Sequence, residues 1–129
     1  MEHKEIPEII KKVGFDFNWD EKKVWALEVP VTEMDVKELT WHFDIPFHWH
    51  NGEVYNLTSW EIIKSPDKYK EEYERTMNSD LKYPIDVMEN KGRWLILDGL
   101  HRLMKAYIQG AKMVSVRIIP TEKIPEILR

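Results

Sequence analysis

The chain has 129 residues, 43% hydrophobic and 33% charged, with a formal net charge of −4, which fits one globular domain and excludes collagen-like, coiled-coil and wholly disordered chains. It contains no Cys, which excludes disulfides, thiolate metal sites and cysteine catalysis. The negative balance disfavours a stand-alone binder of duplex DNA, because such binding depends largely on phosphate neutralisation.

The location of the protein is predicted from two absences in the sequence. No run approaches the roughly 18 apolar residues that a membrane span needs. The first residues, Met1-Glu2-His3-Lys4-Glu5, lack the basic-then-apolar pattern of a signal peptide. We therefore expect a cytoplasmic protein with no membrane partner.

The first quarter of the chain is predicted to hold a helix, a strand and a helical turn. Apolar spacing over 6–13 indicates an amphipathic helix. The run 24–29 is strand-like and contains the acidic residue Glu28, which we expect to face outward. Thr32 with Asp35 resembles a capping box for a short helical turn.

An aromatic and histidine-rich stretch follows, and it predicts a hairpin. Asn51-Gly52 is a strong hairpin signal, with arms over 47–50 and 53–56. Alternation places His48 and His50 together on a solvated face. With His42 and Asp44 they are candidate zinc ligands, but spacing alone does not establish closed coordination, so we predict no metal site.

Two helices are predicted after the hairpin. Thr58 and Glu61 form a capping box for the first. The second is predicted to start at Pro66, with Glu71 placed to meet Arg75 on its charged face. Its apolar face is formed by Tyr69, Tyr73 and Met77.

The last third of the chain has the clearest periodicity. Strand-like runs at 85–88 and 93–97 flank a three-residue loop, Asn90-Lys91-Gly92, and the second run is apolar enough to predict a central strand. A helical stripe then runs from Leu100 to Gly110, before a final strand over 114–119. This order predicts a β-α-β unit and an α+β or α/β chain.

The segment Asp98-Gly99-Leu100-His101-Arg102 lies where a strand turns into a helix. Asp98 can cap the helix, Gly99 lets a ligand approach the backbone, and the free N–H groups of the first turn form an anion site. His101, Arg102 and Lys105 can add an imidazole and two cations. The alternative is an ordinary capped helix with a basic face. That alternative explains poorly a cation in the first turn, which the helix dipole disfavours unless an anion is bound.

The ordered motifs of this region resemble the ParB/sulfiredoxin superfamily. They are Pro84-Ile85-Asp86-Val87, a hairpin, Leu97-Asp98-Gly99-Leu100-His101-Arg102, a helix with Ala106 and Gly110, and Val114-Ser115-Val116. The match is good over 84–119, and Leu27-Glu28-Val29-Pro30-Val31 with Met34-Asp35 resembles the family's opening strand and turn. The resemblance implies one α+β domain over 1–129, with a mixed sheet, flanking helices and an aromatic hairpin insertion at 40–60.

The members of this superfamily differ in function, so the resemblance implies several activities. Leu100 stands where sulfiredoxins need a cysteine, which excludes sulfinic-acid repair. Partition proteins bind CTP here and continue into a DNA-binding domain, for which we see no sequence before Arg129. A third branch, the free-amino-acid kinases, uses this loop for phosphates together with an acidic base. Asp44 is the nearest match to that base, and Glu28 is the second candidate.

The resemblance therefore implies a nucleotide ligand, ATP, ADP or CTP, with Mg²⁺ as a possible companion. Its site residues are Asp98, Gly99, Leu100, His101, Arg102 and Lys105. Phosphoryl transfer to a small hydroxyl substrate would use Asp44 or Glu28 as the base. The alternatives are a non-catalytic module related to DNA partition or protein interaction and, less favoured, a nuclease. Trp25, Trp60 and Trp94 are predicted to be core residues and not base-stacking platforms.

Overall fold

The computed structural model describes residues 19–50 and 53–129, without the side chains of 49–50 and 53–55. The helix predicted over 6–13 and the Asn51-Gly52 turn lie outside the described residues. The elements, in chain order, are α1 (Glu21–Trp25), β1 (Val31–Asp35), β2 (His48–His50), β3 (Glu53–Leu57), α2 (Ser59–Lys64), α3 (Lys70–Met77), β4 (Ile85–Asn90), β5 (Arg93–Asp98), α4 (Leu100–Ile108), β6 (Met113–Ile118) and α5 (Ile124–Ile127).

The predicted α+β class with a mixed sheet is confirmed. Four strands pair in the order β1-β6-β4-β5, and β2 pairs with β3 in a separate hairpin. β4 runs parallel to β6 and antiparallel to β5. The strands that α4 connects, β5 and β6, therefore lie on opposite sides of β4 and run antiparallel. The predicted β-α-β unit is wrong in this respect, because β4 separates its two strands.

Both faces of the sheet are buried. On one face Val87, Ile96 and Val116 pack with Leu103 and Met104 of α4. On the other face the cluster contains residues from β4, β5, α1 and α5. Its fully or nearly fully buried members are Val24, Met88, Leu95, Leu97, Ile119 and Ile127. Helices therefore cover the sheet on each side, which accounts for strands that read as apolar throughout.

β5 is an edge strand, so the prediction of a central strand is wrong. Its apolar sequence reflects burial of its two faces, while side chains from elsewhere form hydrogen bonds with backbone groups on its free edge. The Ile96 N–H donates to His42 Nε2 at 3.0 Å. Trp19 Nε1 donates to the Leu97 carbonyl at 2.9 Å. These side chains take the place of a neighbouring strand and meet the backbone groups that an exposed edge would leave unpaired.

The predicted strand over 24–29 is also wrong. The chain forms α1 there, with the Asp20 side chain accepting from the Lys22 N–H, and the strand follows at β1. The helical turn predicted after it is present over Val36–Glu38, but Asp35 caps it and not Thr32, since Thr32 lies inside β1. Val24 is fully buried by the packing of α1 against the sheet, and this tertiary contact outweighs the local β-propensity.

Several local predictions are confirmed. The hairpin arms match β2 and β3 to within a residue. Thr58 caps α2 by accepting from the Glu61 N–H. The Arg75 and Glu71 side chains pair at 3.8 Å on the exposed face of α3. α3 itself begins at Lys70, because 66–69 form turns and not the helical start predicted at Pro66.

The turn before β5 and the turn after α4 are close to those predicted. Asn90 pairs with Arg93 in the sheet, so the loop between β4 and β5 has two residues and not three. α4 ends as predicted at Gly110, whose φ is 78°. The Gly110 N–H bonds to the Tyr107 carbonyl and the Ala111 N–H to the Ala106 carbonyl, each at 3.0 Å, which is a Schellman ending. Within the described ranges, no helix has the length and apolar character needed to cross a bilayer.

Candidate functional site

The turn between β5 and α4 depends on glycine. Gly99 has a φ of 114°, a backbone conformation that L side chains rarely adopt. A Cβ at this position would also lie 3.2–3.3 Å from atoms of Ile85 on the neighbouring strand. The β4–β5 register shifts by one residue between Asp86 and Val87, next to this turn. Together these features bring the start of α4 close against the sheet.

Asp98 does not cap α4 as predicted. Gly99 occupies the N-cap position, and no described side chain bonds to the free N–H groups of the first turn. The Asp98 carboxylate points to two other donors: Arg102 Nη2 at 3.0 Å and Trp25 Nε1 at 2.8 Å, both to Oδ2. The first-turn N–H groups therefore remain available to a ligand, while the Asp98 carboxylate binds the side chains of Arg102 and Trp25.

The cation in the first turn of α4 has an internal explanation. Arg102 pairs with Asp98 and donates from Nη1 to the Pro84 carbonyl. The side chains of the pair are only 18% and 22% exposed. The carboxylate supplies the negative charge that the helix dipole and the guanidinium require. An external anion is not needed to account for Arg102.

Two clefts open on either side of the Asp98–Arg102 pair. The first, here called the helix-end cleft, has a volume of about 500 Å³. Its polar lining includes Glu21, His42, Arg75, Ser79, His101 and the first turn of α4. The second, here called the aromatic cleft, has a volume of about 540 Å³. It is lined by Trp25, Tyr83, Pro84, Asp86 and Arg117. The pair belongs to both linings and so forms a shared wall.

The helix-end cleft combines backbone donors with a neutral imidazole and an exposed cation. Burial lowers the pKa of His101, the nearby Arg75 charge lowers it further, and Asp98 opposes both. The ring is therefore neutral at pH 7. The Arg75 side chain is 63% exposed, and its contact with Glu71 is long. Arg75 is thus a solvent-exposed, weakly paired cation available to a ligand in this cleft.

The two other histidines whose side chains are described, His42 and His48, are structural. Burial lowers the pKa of His42 and of His48 to about 4 in each case. His42 Nδ1 must donate to the Leu39 carbonyl at 2.7 Å, which leaves Nε2 to accept from Ile96. His48 is buried against Ser59, with Nε2 and Oγ 2.9 Å apart, so the prediction that it lies on a solvated face is wrong.

The aromatic cleft has a different chemistry. Trp25 and Tyr83 are each 55% exposed, so the prediction that Trp25 is a core residue is wrong. Beside them Asp86 is almost fully buried and pairs with Arg117, whose Nε donates to Oδ1 at 2.6 Å. Burial raises the pKa of Asp86, and the Arg117 contact opposes that rise. Trp60 and Trp94 are part-buried against the core, as predicted.

The structure brings the segment from Asp98 to Arg102 together in the helix-end cleft. It does not bring Lys105 there, since its Nζ donates to the Ser79 carbonyl at 2.8 Å and it lies outside the lining. Glu28 is exposed between α1 and β1 and lines neither cleft.

Asp44 is also outside both clefts. It accepts a hydrogen bond from Trp60 Nε1 at 2.9 Å. Trp60 packs edge-on against Tyr107, with ring centres 5.2 Å apart. Tyr107 lies in the last turn of α4, about 10 Å along the axis from Leu100 at 1.5 Å per residue. The hydrogen bond to Trp60 thus ties Asp44 to the far end of the helix.

The lining residues that sequence reasoning did not assign to a site include Arg75, Trp25, Tyr83, Asp86 and Arg117. Arg75 was recognised only as half of a helical ion pair. Trp25 lies in the run that was predicted to be a strand, and Tyr83 belongs to no predicted helix or strand. A weak signal was present for Trp25 and Tyr83, because large aromatic residues that fit no apolar stripe are candidates for exposed contact surfaces.

The described residues do not fit a metal ion held by protein ligands. No three His, Asp or Glu side chains of the described ranges are grouped to hold one. Asp98, a carboxylate that lines the helix-end cleft, already accepts two N–H donors at Oδ2. We therefore derive no step through Mg²⁺. In comparisons with known proteins, no family model, no curated protein and no solved structure matches this chain.

Proposed function

We propose that the helix-end cleft binds a phosphate group, and that the ligand carrying it is a nucleotide such as ATP, ADP or CTP. One observation carries this proposal: the first turn of α4 has no side-chain cap among the described residues and lines a cleft of about 500 Å³. A phosphate in that position would accept the free N–H groups and interact favourably with the helix dipole.

The surrounding side chains support a phosphate over a carboxylate ligand. Arg75 supplies an exposed cation that can form charge-assisted hydrogen bonds with the phosphate. His101 can gain a proton when an anion arrives, because only burial and the Arg75 charge hold its pKa down. A ligand with two negative charges benefits from both groups.

The resemblance to the ParB/sulfiredoxin superfamily supports a nucleotide as the carrier of that phosphate. The Asp98–Arg102 segment resembles the family's phosphate loop, and it is the part of the predicted site that lines the cleft. We propose binding and not phosphoryl transfer, because Asp44 and Glu28 line neither cleft. A base outside hydrogen-bond reach of a hydroxyl substrate cannot take its proton.

The test is a thermal-shift titration with phosphate, pyrophosphate, ATP, ADP and CTP, followed by calorimetry on any ligand that stabilises the protein. A ligand present at one hundred times its dissociation constant raises the free energy of unfolding by about 2.7 kcal/mol. Arg75→Ala should weaken phosphate binding about tenfold, the size expected for one charge-assisted hydrogen bond. Lys112→Ala is the matched control, since Lys112 is exposed and lines neither cleft.

Glu71→Gln tests the same site, and it should change phosphate affinity in the opposite direction to Arg75→Ala. Glu71 holds Arg75 through the 3.8 Å contact, so its neutralisation frees the guanidinium for the ligand. We expect phosphate binding to tighten by about twofold, as for a weak exposed ion pair. A flat response to all five ligands would contradict the proposal and favour a protein-interaction module. Equal phosphate binding by wild type and Arg75→Ala would contradict the placement of the phosphate in the helix-end cleft.

A further inference from the structure

The aromatic cleft has the features of a binding site of its own. Trp25 and Tyr83 both line this cleft, and each exposes more than half of its surface. Large aromatic side chains exposed in one concave region mark contact sites more often than scattered surface residues do. The Lys82 ammonium lies 5.1 Å from the Tyr83 ring centre, so Trp25 offers the less encumbered ring.

The helix that carries Trp25 is anchored at its end, and the ring itself is held by one hydrogen bond. Its Nε1 donates to Asp98 across 73 residues of sequence. Arg117 anchors the end of α1 by donating to the Val24 carbonyl at 2.9 Å and the Leu27 carbonyl at 2.8 Å. A ring fixed in this way loses little conformational entropy when a flat ligand stacks on it.

Asp86 provides the polar group that such a ligand would meet. The residue is only 2% exposed and lines the cleft. Its Oδ1 accepts from Arg117, whereas no donor among the described residues bonds to Oδ2. Because Asp86 lines the cleft, this oxygen can accept a hydrogen bond from an N–H group of a bound ligand.

The charges of the cleft favour a neutral ligand. Asp86 and Asp98 are matched by Arg117 and Arg102, so the four groups sum to zero. Both arginines of this cleft are already paired with its two carboxylates, whereas the helix-end cleft, lined by Glu21 and Asp98, also offers the exposed Arg75 and the first-turn N–H groups to phosphate. We infer that the aromatic cleft binds a planar nitrogen heterocycle, such as a nucleobase, whose ring stacks on Trp25 and whose edge N–H donates to Asp86. This inference goes beyond phosphate binding and stands without it.

The probes are adenosine, cytidine and guanosine, titrated by calorimetry against the full chain. Each is compared with its analogue that lacks the exocyclic amine: purine riboside, zebularine and inosine. This comparison tests the contact with Asp86 without altering a buried ion pair. For the nucleoside that binds best, removal of the amine should weaken binding at least tenfold, because the acceptor is charged.

Trp25 is tested by two substitutions. Trp25→Ala should weaken nucleoside binding at least tenfold, since stacking on an aromatic side chain is a large part of base recognition. Trp25→Phe keeps a ring and loses the N–H to Asp98, and it should bind within about threefold of wild type. Tyr107→Leu is the control, an aromatic residue that is 40% exposed and lines neither cleft.

The outcomes separate this inference from the phosphate proposal. Arg75→Ala should leave nucleoside binding unchanged, and Trp25→Ala should leave inorganic phosphate binding unchanged. The inference is overturned if no nucleoside binds at millimolar concentration, if Trp25→Ala binds as well as wild type while folded, or if loss of the amine changes nothing. Phosphate binding without nucleoside binding overturns this inference alone, and the reverse result overturns the phosphate proposal alone.

Discussion

The two clefts share one wall and have similar volumes, and they differ in the groups that lie opposite that wall. On the helix-end side the Asp98–Arg102 pair faces backbone N–H groups, a neutral imidazole and the exposed Arg75. On the aromatic side it faces Trp25, Tyr83 and a second ion pair. The charged pair neutralises itself, so it contributes little net charge to either side. The chemistry of each cleft is therefore set by the residues around the pair.

The largest effect is expected from acid, which should lower the free energy of unfolding through two buried histidines. His42 and His48 have pKa values lowered to about 4, against an ordinary value of 6.5. Between these values the unfolded chain binds more protons than the folded one, so the free energy of unfolding falls as the pH falls from 6.5 to about 4. The loss should be on the order of 3 kcal/mol for each histidine.

Asp86, in the aromatic cleft, acts in the opposite sense. Its raised pKa means that the folded chain binds more protons just above pH 3.8, so acid favours folding there. Urea denaturation at pH 7, 5.5 and 4.5 measures the net effect. His48→Gln should flatten the profile between pH 7 and 4.5. A wild-type stability that does not fall over this range would show that the buried histidines titrate normally.

Removal of the shared wall should have the next largest effect. Arg102→Ala deletes the pair with Asp98 and the bond to the Pro84 carbonyl, and it leaves a partly buried carboxylate with one donor fewer. We expect a loss of about 1–3 kcal/mol in the free energy of unfolding, measured by urea denaturation at pH 7. Arg75→Ala is the matched control and should change stability by less than about 0.5 kcal/mol. Equal effects of the two substitutions would remove the distinction between a structural and a ligand-facing arginine.

The smallest effects are expected outside both clefts. Asp44→Asn keeps an oxygen that can accept from Trp60, and Glu28→Gln changes an exposed loop residue. Binding of phosphate and of nucleosides, measured by calorimetry, should stay within about twofold of wild type, as for surface substitutions away from a site. A tenfold loss of phosphate binding in Asp44→Asn would place that carboxylate at the ligand and return phosphoryl transfer to the leading proposal.

The features predicted well from sequence are those that depend on near neighbours. The apolar stripe of α4 and its ending at Gly110 follow from helical periodicity and from the φ that only glycine adopts easily. The hairpin arms and the Thr58 cap follow from equally local rules. The segment from Asp98 to Arg102 was located for the same reason, since a strand followed by Gly and a helix start is a local pattern.

The features predicted poorly depend on partners far along the chain. The apolar run of β5 indicated a central strand, but His42 and Trp19 cover its free edge, 54 and 78 residues away from the groups that they contact. Local propensity favoured a strand over 24–29, but burial of Val24 and the bonds from Arg117 hold the chain as α1 and a loop.

By itself, the sequence determined that a helix begins at the Asp98-Gly99 turn and that its first turn carries a cation, because backbone sterics and helical spacing act over a few residues. Only the tertiary structure decided what that cation does. Asp98 is the partner of Arg102 and not a cap, because Gly99 takes the cap position and Trp25 approaches from α1. Arg75 reaches the cleft because α3 packs against α4. Charge pairing and cleft lining depend on how separate elements meet, which local patterns do not encode.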